Sequence, residues 1–284
     1  MRNMLDQIPT IPVADTVETV MDLLTDTFAS FFKSLQLSGT FLMEGLTGLL
    51  AAIPPILFIL LIALLAYIAT RKIFGLPLFS VIGLLFIYNQ DLWNQLMNTI
   101  TLVLFASIIA IILGVPIGIL MSKSKVAEGI IKPILDFMQT MPGFVYLIPA
   151  VAFFGIGVVP GVFASVIFAL PPTVRFTNLG IRQVPKELVE AADSYGSTGK
   201  QKLFKVELPL AKSTIMAGIN QTVLLSLSMV VIASMIGAPG LGREVLSALQ
   251  RAQVGNGFVA GLSLVIFAII ADRLTQSFNK KKSL

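Results

Sequence analysis

The sequence contains no cysteine and no histidine among its 284 residues. This excludes disulfide bonds, thiol redox chemistry, cysteine/histidine zinc sites and imidazole acid–base catalysis. Charge is also scarce, because 12% of the residues are charged, against roughly 25% in an average soluble domain. Hydrophobic residues make up 56% of the chain and the mean hydropathy is +0.90. This composition indicates a protein whose solvent is the lipid bilayer.

The net charge of +5 is compatible with a nucleic-acid-binding protein, but its distribution favours a membrane protein. Lysine and arginine lie at the ends of apolar runs, where they set membrane topology. Residues 1–49 contain acids and no short apolar core followed by small residues. We therefore expect no cleavable signal peptide.

Seven apolar runs approach the length of about 20 residues that a transmembrane helix needs. They lie at 50–70, 73–88, 99–121, 134–154, 160–178, 213–236 and 257–274. With the loop after the first run inside, sixteen of the twenty lysines and arginines fall on the cytoplasmic side. The sequence therefore predicts seven spans, a cytoplasmic C-terminus and an external N-terminus.

The N-terminal region has the spacing of an amphipathic helix. Its apolar residues recur at helical intervals, at Val17, Val20, Met21, Leu24, Phe28, Phe31 and Leu35. Asp15 and Glu18 resemble a capping box at its start. Two placements are open: the helix lies in the outer membrane interface, or it packs against the first span.

Inside the spans, small residues and prolines outnumber charges. Gly114 with Gly118, and Gly157 with Gly161, are four residues apart, a spacing that lets helices approach closely. Five prolines are expected to kink or end helices, namely Pro116, Pro142, Pro149, Pro171 and Pro172. The acids Asp136 and Asp272 lie near span ends, whereas ion-coupled carriers place an ionisable group deep in a span. We therefore expect the energy for any transport to come from another subunit.

A polar segment, 184–209, interrupts the apolar runs. Pro185 favours a helix start, and Gly196 is a natural stop because glycine tolerates the left-handed conformation. Ser197 and Thr198 can cap a second short helix, which we expect to end at Leu208–Pro209. The segment is suited to docking into a groove of another protein, and an ordinary solvated loop is the alternative.

The same segment resembles the EAA signature of ABC importer permeases. Glu190–Ala191–Ala192 is followed after three residues by Gly196, and after nine more by Val206, one residue and Leu208–Pro209. The only departure is valine at 206, where the family pattern has isoleucine. In that family the loop contacts the ATPase subunit. The resemblance therefore implies ATPase-coupling roles for Glu190, Ala191, Ala192, Gly196, Val206, Leu208 and Pro209.

The stretches 138–151, 154–162, 168–185 and 227–242 resemble the glycine betaine/proline permeases of bacterial osmoprotectant importers. This resemblance implies an all-α, type I ABC importer permease fold in the bacterial inner membrane, with about seven transmembrane helices and an N-terminal amphipathic helix. It divides the chain into an external tail (1–48), accessory transmembrane helices (49–94) and a permease core (95–284) with a cytoplasmic coupling loop (179–212).

The implied partners are a second copy of the permease, two ATP-binding subunits, an external substrate-binding protein and membrane lipids. The chain has no G-x-x-x-x-G-K-[S/T] motif, so we expect no cofactor in it and place ATP and Mg on the partner ATPase. The implied substrate is glycine betaine, a related quaternary ammonium osmoprotectant or proline, with choline and carnitine as alternatives. The chain has one tryptophan and four tyrosines, so we expect tight recognition of a quaternary ammonium by an aromatic cage to belong to the binding protein.

Two sets of residues are candidates for further contacts. Candidate pathway residues are polar or soft groups on apolar spans, namely Gln139, Tyr146, Asn220, Gln221, Ser226, Ser228 and Met229. For each of these, helix–helix hydrogen bonding or packing is the alternative role. The segment 237–253 is predicted to form a short external helix, whose Arg243, Glu244 and Arg251 either meet the binding protein or face solvent.

Two other classes of protein are less consistent with the sequence. A secondary transporter or channel would favour an ionisable residue in mid-span, and an integral membrane enzyme would need a cluster of catalytic groups. The sequence shows neither feature.

Overall fold

A computed structural model describes residues 12–70 and 73–277, and these residues form helices and connecting turns without strands. The helices are α1 (Val13–Thr27), α2 (Ala29–Ala52), α3 (Pro55–Ala69), α4 (Gly75–Asn89), α5 (Trp93–Lys123), α6 (Lys125–Thr140), α7 (Leu147–Phe154), α8 (Val158–Arg182), α9 (Lys186–Ser194), α10 (Gly199–Lys202), α11 (Leu208–Ser234), α12 (Leu241–Gln250) and α13 (Val254–Ser277). The expected all-α class is confirmed for this part of the chain.

Within residues 12–70 and 73–277, four helical stretches are long and apolar enough to cross a membrane on their own. They are α5, α8, α13 and the stretch Gly199–Ser234, which contains α11. The predicted runs 99–121, 160–178 and 257–274 lie within these helices, and 213–236 does so up to Ser234, where α11 ends. The run 50–70 is carried mainly by α3, and 73–88 is carried by the 15-residue helix α4.

The prediction of one continuous span at 134–154 is wrong. The chain bends by 109° between α6 and the stretch Gly143–Phe154, which begins with a 3-10 turn. Met141 is extended, with φ −72° and ψ 133°, because the ring of the following Pro142 disfavours helical geometry at the preceding residue. A second bent pair, α2 and α3, meets at 95° before Pro55.

The core of the bundle is α8, which packs against α5 and α11. Gly114 and Gly118 lie directly against Thr173 and Thr177 of α8, as their spacing predicted. Gly161 is similarly close to α11, since an added Cβ would lie 3.1 Å from that of Ala233. Gly157 is different: it has φ +143° and no neighbour within 4 Å of such a Cβ. Its predicted role in close packing is therefore wrong, because it instead provides the unusual backbone at the start of α8.

Prolines within α5 and α8 do not end these helices. Both helices continue through Pro116 and through the Pro171–Pro172 pair. Pro142, in contrast, lies at the break between α6 and the following 3-10 turn, as predicted for a helix end.

The N-terminal region contains two helices rather than one. The predicted amphipathic helix is present as α1, but it ends at Thr27, and Phe28 precedes α2. The prediction of a capping box is wrong, since Pro12 occupies the N-cap and no side chain caps α1. The helix α2 packs against α5, α7 and α8; the ring of its Phe32 stacks on Phe153 with centroids 4.6 Å apart.

Candidate functional site

The first half of the polar segment folds as predicted. The helix α9 ends at Ser194, and Gly196 has φ +73°. The N–H of Gly196 donates to the carbonyl of Asp193 at 2.9 Å, and that of Ser197 donates to the carbonyl of Ala192 at 3.0 Å. This pair of bonds is a Schellman motif, which requires a residue such as glycine in the left-handed region. Gly196 therefore fixes the direction in which the chain leaves α9.

The second half differs from the prediction at its end. Thr198 forms a capping box with Gln201, as expected for a helix start there. The chain does not stop at Leu208–Pro209, however, because it remains helical from Gly199 to Ser234. A π-helical turn at Leu203–Glu207 lets the N–H of Leu208 bond to the carbonyl of Leu203. Pro209 follows in the first turn of α11, where the missing N–H is tolerated.

The polar segment exposes several apolar side chains among its charged ones in the single chain. The helix α9 has no buried residue. Tyr195 is 90% exposed, Phe204 65% and Leu188 46%, beside the exposed Ala191. Lys202 bonds to both carboxylate oxygens of Asp193 at 2.8 Å and thereby links α10 to α9. The segment thus presents apolar side chains on a braced scaffold, which is typical of a surface that docks a partner.

Of the motif residues, Glu190, Ala191, Gly196 and Pro209 are exposed, whereas Ala192, Val206 and Leu208 are half-buried. The first four are therefore accessible to a partner in the single chain. The half-buried members are covered in part by the rest of the chain and remain partly accessible.

Residues at the two ends of the polar segment bond to the facing ends of α5 and α6. Before the segment, Arg182 donates to the carbonyl of Met121 at 3.1 Å and pairs with Glu128 at 2.7 Å. Near its end, Glu207 forms an ion pair with Lys123, the last residue of α5. Glu207 is 5% exposed, and a buried carboxylate requires such a partner. Sequence reasoning missed Glu207, although an acid between the apolar motif residues Val206 and Leu208 was a visible signal.

Gln139 and Gln221, two of the candidate pathway residues, lie in one cavity. It has a volume of about 480 Å³, is lined by α6, α8 and α11, and is open to the surface, where Gln139 and Gln221 are exposed. Arg175, Phe168 and Phe176 of α8 also line it. Sequence reasoning counted Arg175 only as a topology signal.

The other candidate pathway residues lie elsewhere. Tyr146 and Met229 are buried together in one apolar cluster, where the hydroxyl of Tyr146 donates to the carbonyl of Met138. Ser226 is buried, and Ser228 donates to the carbonyl of Leu224 at 3.1 Å. Asn220 donates from Nδ2 to Oδ1 of Asp272 at 2.9 Å, which links α11 to α13.

At the opposite end of the bundle, the predicted short helix is present as α12. Its first N–H, from Leu241, donates to Oγ1 of Thr99 at 2.8 Å, which anchors it to α5. Glu244 and Arg251 line a cavity of about 320 Å³ between α12 and α13. Arg243 is exposed and does not line this cavity.

Comparison with known proteins gives consistent matches. Residues 110–284 match the family model described as binding-protein-dependent transport system inner membrane component. The chain is 58% identical to the glycine betaine/carnitine transport permease protein GbuB of Listeria monocytogenes over 98% of its length and 99% of that protein's. It is 51% identical to the glycine betaine transport system permease protein OpuAB of Bacillus subtilis, over 98% of each chain. Among solved structures, the inward-facing MetNI methionine ABC transporter matches with a TM-score of 0.58 at 19% identity, covering 66% of this chain and 96% of that one.

Proposed function

Because the chain belongs to the family of binding-protein-dependent transport system inner membrane components, we propose that it is the permease subunit of an ATP-driven importer of glycine betaine. The observation that carries the substrate is the similarity over nearly the whole chain to two permeases named for glycine betaine. Carnitine is the second candidate, since it appears in the name of the relative that is 58% identical. Choline was the other alternative at the sequence level, and neither of these two names contains it.

We propose that the polar segment couples this permease to an ATPase subunit. The exposed apolar side chains Leu188, Tyr195 and Phe204 support a docking surface there. Glu190, Ala191 and Gly196 lie on the same segment and are accessible to a partner. ATP and Mg would be held by the ATPase subunit. Closure of two such subunits would displace the segment and shift the packed helices between two arrangements.

The proposed assembly contains two copies of this permease, two ATPase subunits and an external binding protein in a lipid bilayer. Residues 95–284 would form the permease core, with residues 49–94 as accessory helices and 1–48 as an external tail. Glu244 and Arg251 would meet the binding protein at the cavity that they line.

Reconstitution tests the importer function. The chain is co-expressed with candidate ATPase subunits, purified and placed in proteoliposomes with the binding protein. We expect an ATP-hydrolysing partner to co-purify and glycine betaine uptake to require ATP. The matched control is the same chain reconstituted without the ATPase. Uptake by that control at the rate of the full complex would contradict the proposal.

The proposed topology is tested with reporters that are active on only one side of the membrane. We expect a reporter fused before Met1 to lie outside the cytoplasm and one fused after Leu284 to lie inside, because most lysines and arginines then face the cytoplasm. A cytoplasmic result for the N-terminal fusion would mean an even number of crossings.

A further inference from the structure

The cavity between α6, α8 and α11 combines charge, amides and aromatic rings. On α8, Phe168, Arg175 and Phe176 are spaced at i, i+7 and i+8, which places them on one face of the helix. Gln221 of α11 and Gln139 of α6 add amide groups from two other helices. The volume of about 480 Å³ lies within the range of roughly 300–1,000 Å³ that is usual for small-molecule sites.

Arg175 can bind a carboxylate in this cavity. It is the only charged residue among those that line this cavity, and it lies near the end of the predicted apolar run 160–178. Its guanidinium pairs with Oδ1 of Asp136 at 2.5 Å, yet the side chain remains 39% exposed. A guanidinium has five N–H donors, so one carboxylate leaves donors for a second.

The aromatic rings are suited to binding a positively charged group. A quaternary ammonium has no N–H to donate, so proteins hold it against the faces of aromatic rings. Phe168 and Phe176 supply rings two helical turns apart on the same face as Arg175. Pro171 and Pro172 have no N–H, so the carbonyls of Ile167 and Phe168 lack their usual helical donors at this level of α8. This adds partial negative charge near the rings.

We propose that this cavity is a transit site for small zwitterions that carry a carboxylate and a quaternary ammonium group. Arg175 binds the carboxylate, and Phe168 and Phe176, about 12 Å apart along α8, contact the ammonium end in succession. Asp136 pairs with Arg175 while the cavity is empty and is displaced as the carboxylate of the zwitterion arrives. Two phenylalanines are weaker than a full aromatic cage, so the zwitterion is released rather than retained. The proposal rests on the importer function proposed above.

The test measures ATP-dependent uptake of glycine betaine by the complete complex in proteoliposomes, with the binding protein at saturation. Arg175→Gln is expected to lower uptake about tenfold or more, the loss typical of a hydrogen bond to a charged group. Asp136→Asn leaves the guanidinium in place and is expected to lower uptake less than Arg175→Gln. The double variant is expected to be as impaired as Arg175→Gln. The charge-matched control is Arg273→Gln on the exposed part of α13, with uptake within about twofold of the unmodified complex.

The three variants separate a binding role from a structural ion pair. If the pair only stabilises the fold, the double variant recovers uptake, or Asp136→Asn is as damaging as Arg175→Gln. Either result overturns the proposal, as does wild-type uptake by Arg175→Gln. Failure of the unmodified complex to import glycine betaine would instead reject the importer function itself.

If Arg175→Gln does not assemble with the ATPase, two substitutions of Phe176 test the proposal instead. Phe176→Tyr keeps an aromatic face and is expected to lower uptake less than Phe176→Leu. Phe176→Leu removes the ring and is expected to lower uptake about fivefold, the order of one cation–π contact. Equal uptake by these two variants would overturn the proposal. Basal ATP hydrolysis, measured for each, shows that the complex is intact.

Discussion

Gly196→Leu is expected to abolish glycine betaine uptake and to weaken attachment of the ATPase, while insertion into the membrane is unchanged. Gly196 has φ +73°, a conformation that costs an L-residue about 1–2 kcal/mol. Among the described residues, no atom beyond the two chain neighbours lies within 4 Å of an added Cβ, so the added carbon causes no clash. Its side chain would project from the exposed surface that we assign to the ATPase contact. The measurements are uptake, co-purification of the ATPase and the amount of permease in the membrane.

Two further substitutions at this position separate the backbone from the contact surface. Asparagine tolerates the left-handed region better than alanine, but its side chain is larger. If the backbone dominates, Gly196→Asn retains more uptake than Gly196→Ala; if the partner surface dominates, the order is reversed. Gly199→Ala is the matched control, because Gly199 has no neighbour within 4 Å and lies in the same segment. Normal uptake by Gly196→Leu would refute the coupling assignment.

Gly118→Ala is expected to lower the thermal stability of the permease in detergent and its level in the membrane. A Cβ at this position would lie 2.6 Å from both the Cβ of Thr177 and the carbonyl oxygen of Val174. One of these neighbours is backbone, so α5 and α8 must move apart. Such overpacking typically costs about 1–3 kcal/mol. The measurement is the midpoint of thermal unfolding in detergent.

The control for this substitution is Gly129→Ala in α6. Gly129 has no atom within 4 Å of an added Cβ, and alanine favours a helix by about 1 kcal/mol over glycine. Its unfolding midpoint is therefore expected to be unchanged or slightly raised. An unaltered midpoint for Gly118→Ala would show that the two helices separate easily.

The main helices could be predicted because their signals are local. Uninterrupted apolar runs produced α5, α8, α11 and α13, and the left-handed preference of glycine produced the end of α9. The effects of proline could not be predicted so directly, because they depend on the surrounding backbone. Pro142 follows an extended residue and coincides with a break, whereas Pro209 follows a π-helical turn and the helix continues.

The site was predictable only in part. Polarity on an apolar span was enough to select Gln139 and Gln221, which share a cavity. Arg175 and Asp136 are 39 residues apart in the chain, and their pairing depends on how α6 packs beside α8. The same holds for Glu207 and Lys123, which are 84 residues apart. The periodicity of a single sequence does not indicate which residues so far apart in the chain are in contact.

The ion pairs that flank the polar segment have a mechanical consequence. Arg182 and Glu207 both form ion pairs with residues next to the turn between α5 and α6. A displacement of α9 is therefore expected to move that turn as well. From the turn, α6 spans about 12 Å between Glu128 and Asp136, which pairs with Arg175 of the cavity, and it contains Pro133 on the way. Removing both ion pairs is expected to leave a complex that hydrolyses ATP without substrate uptake.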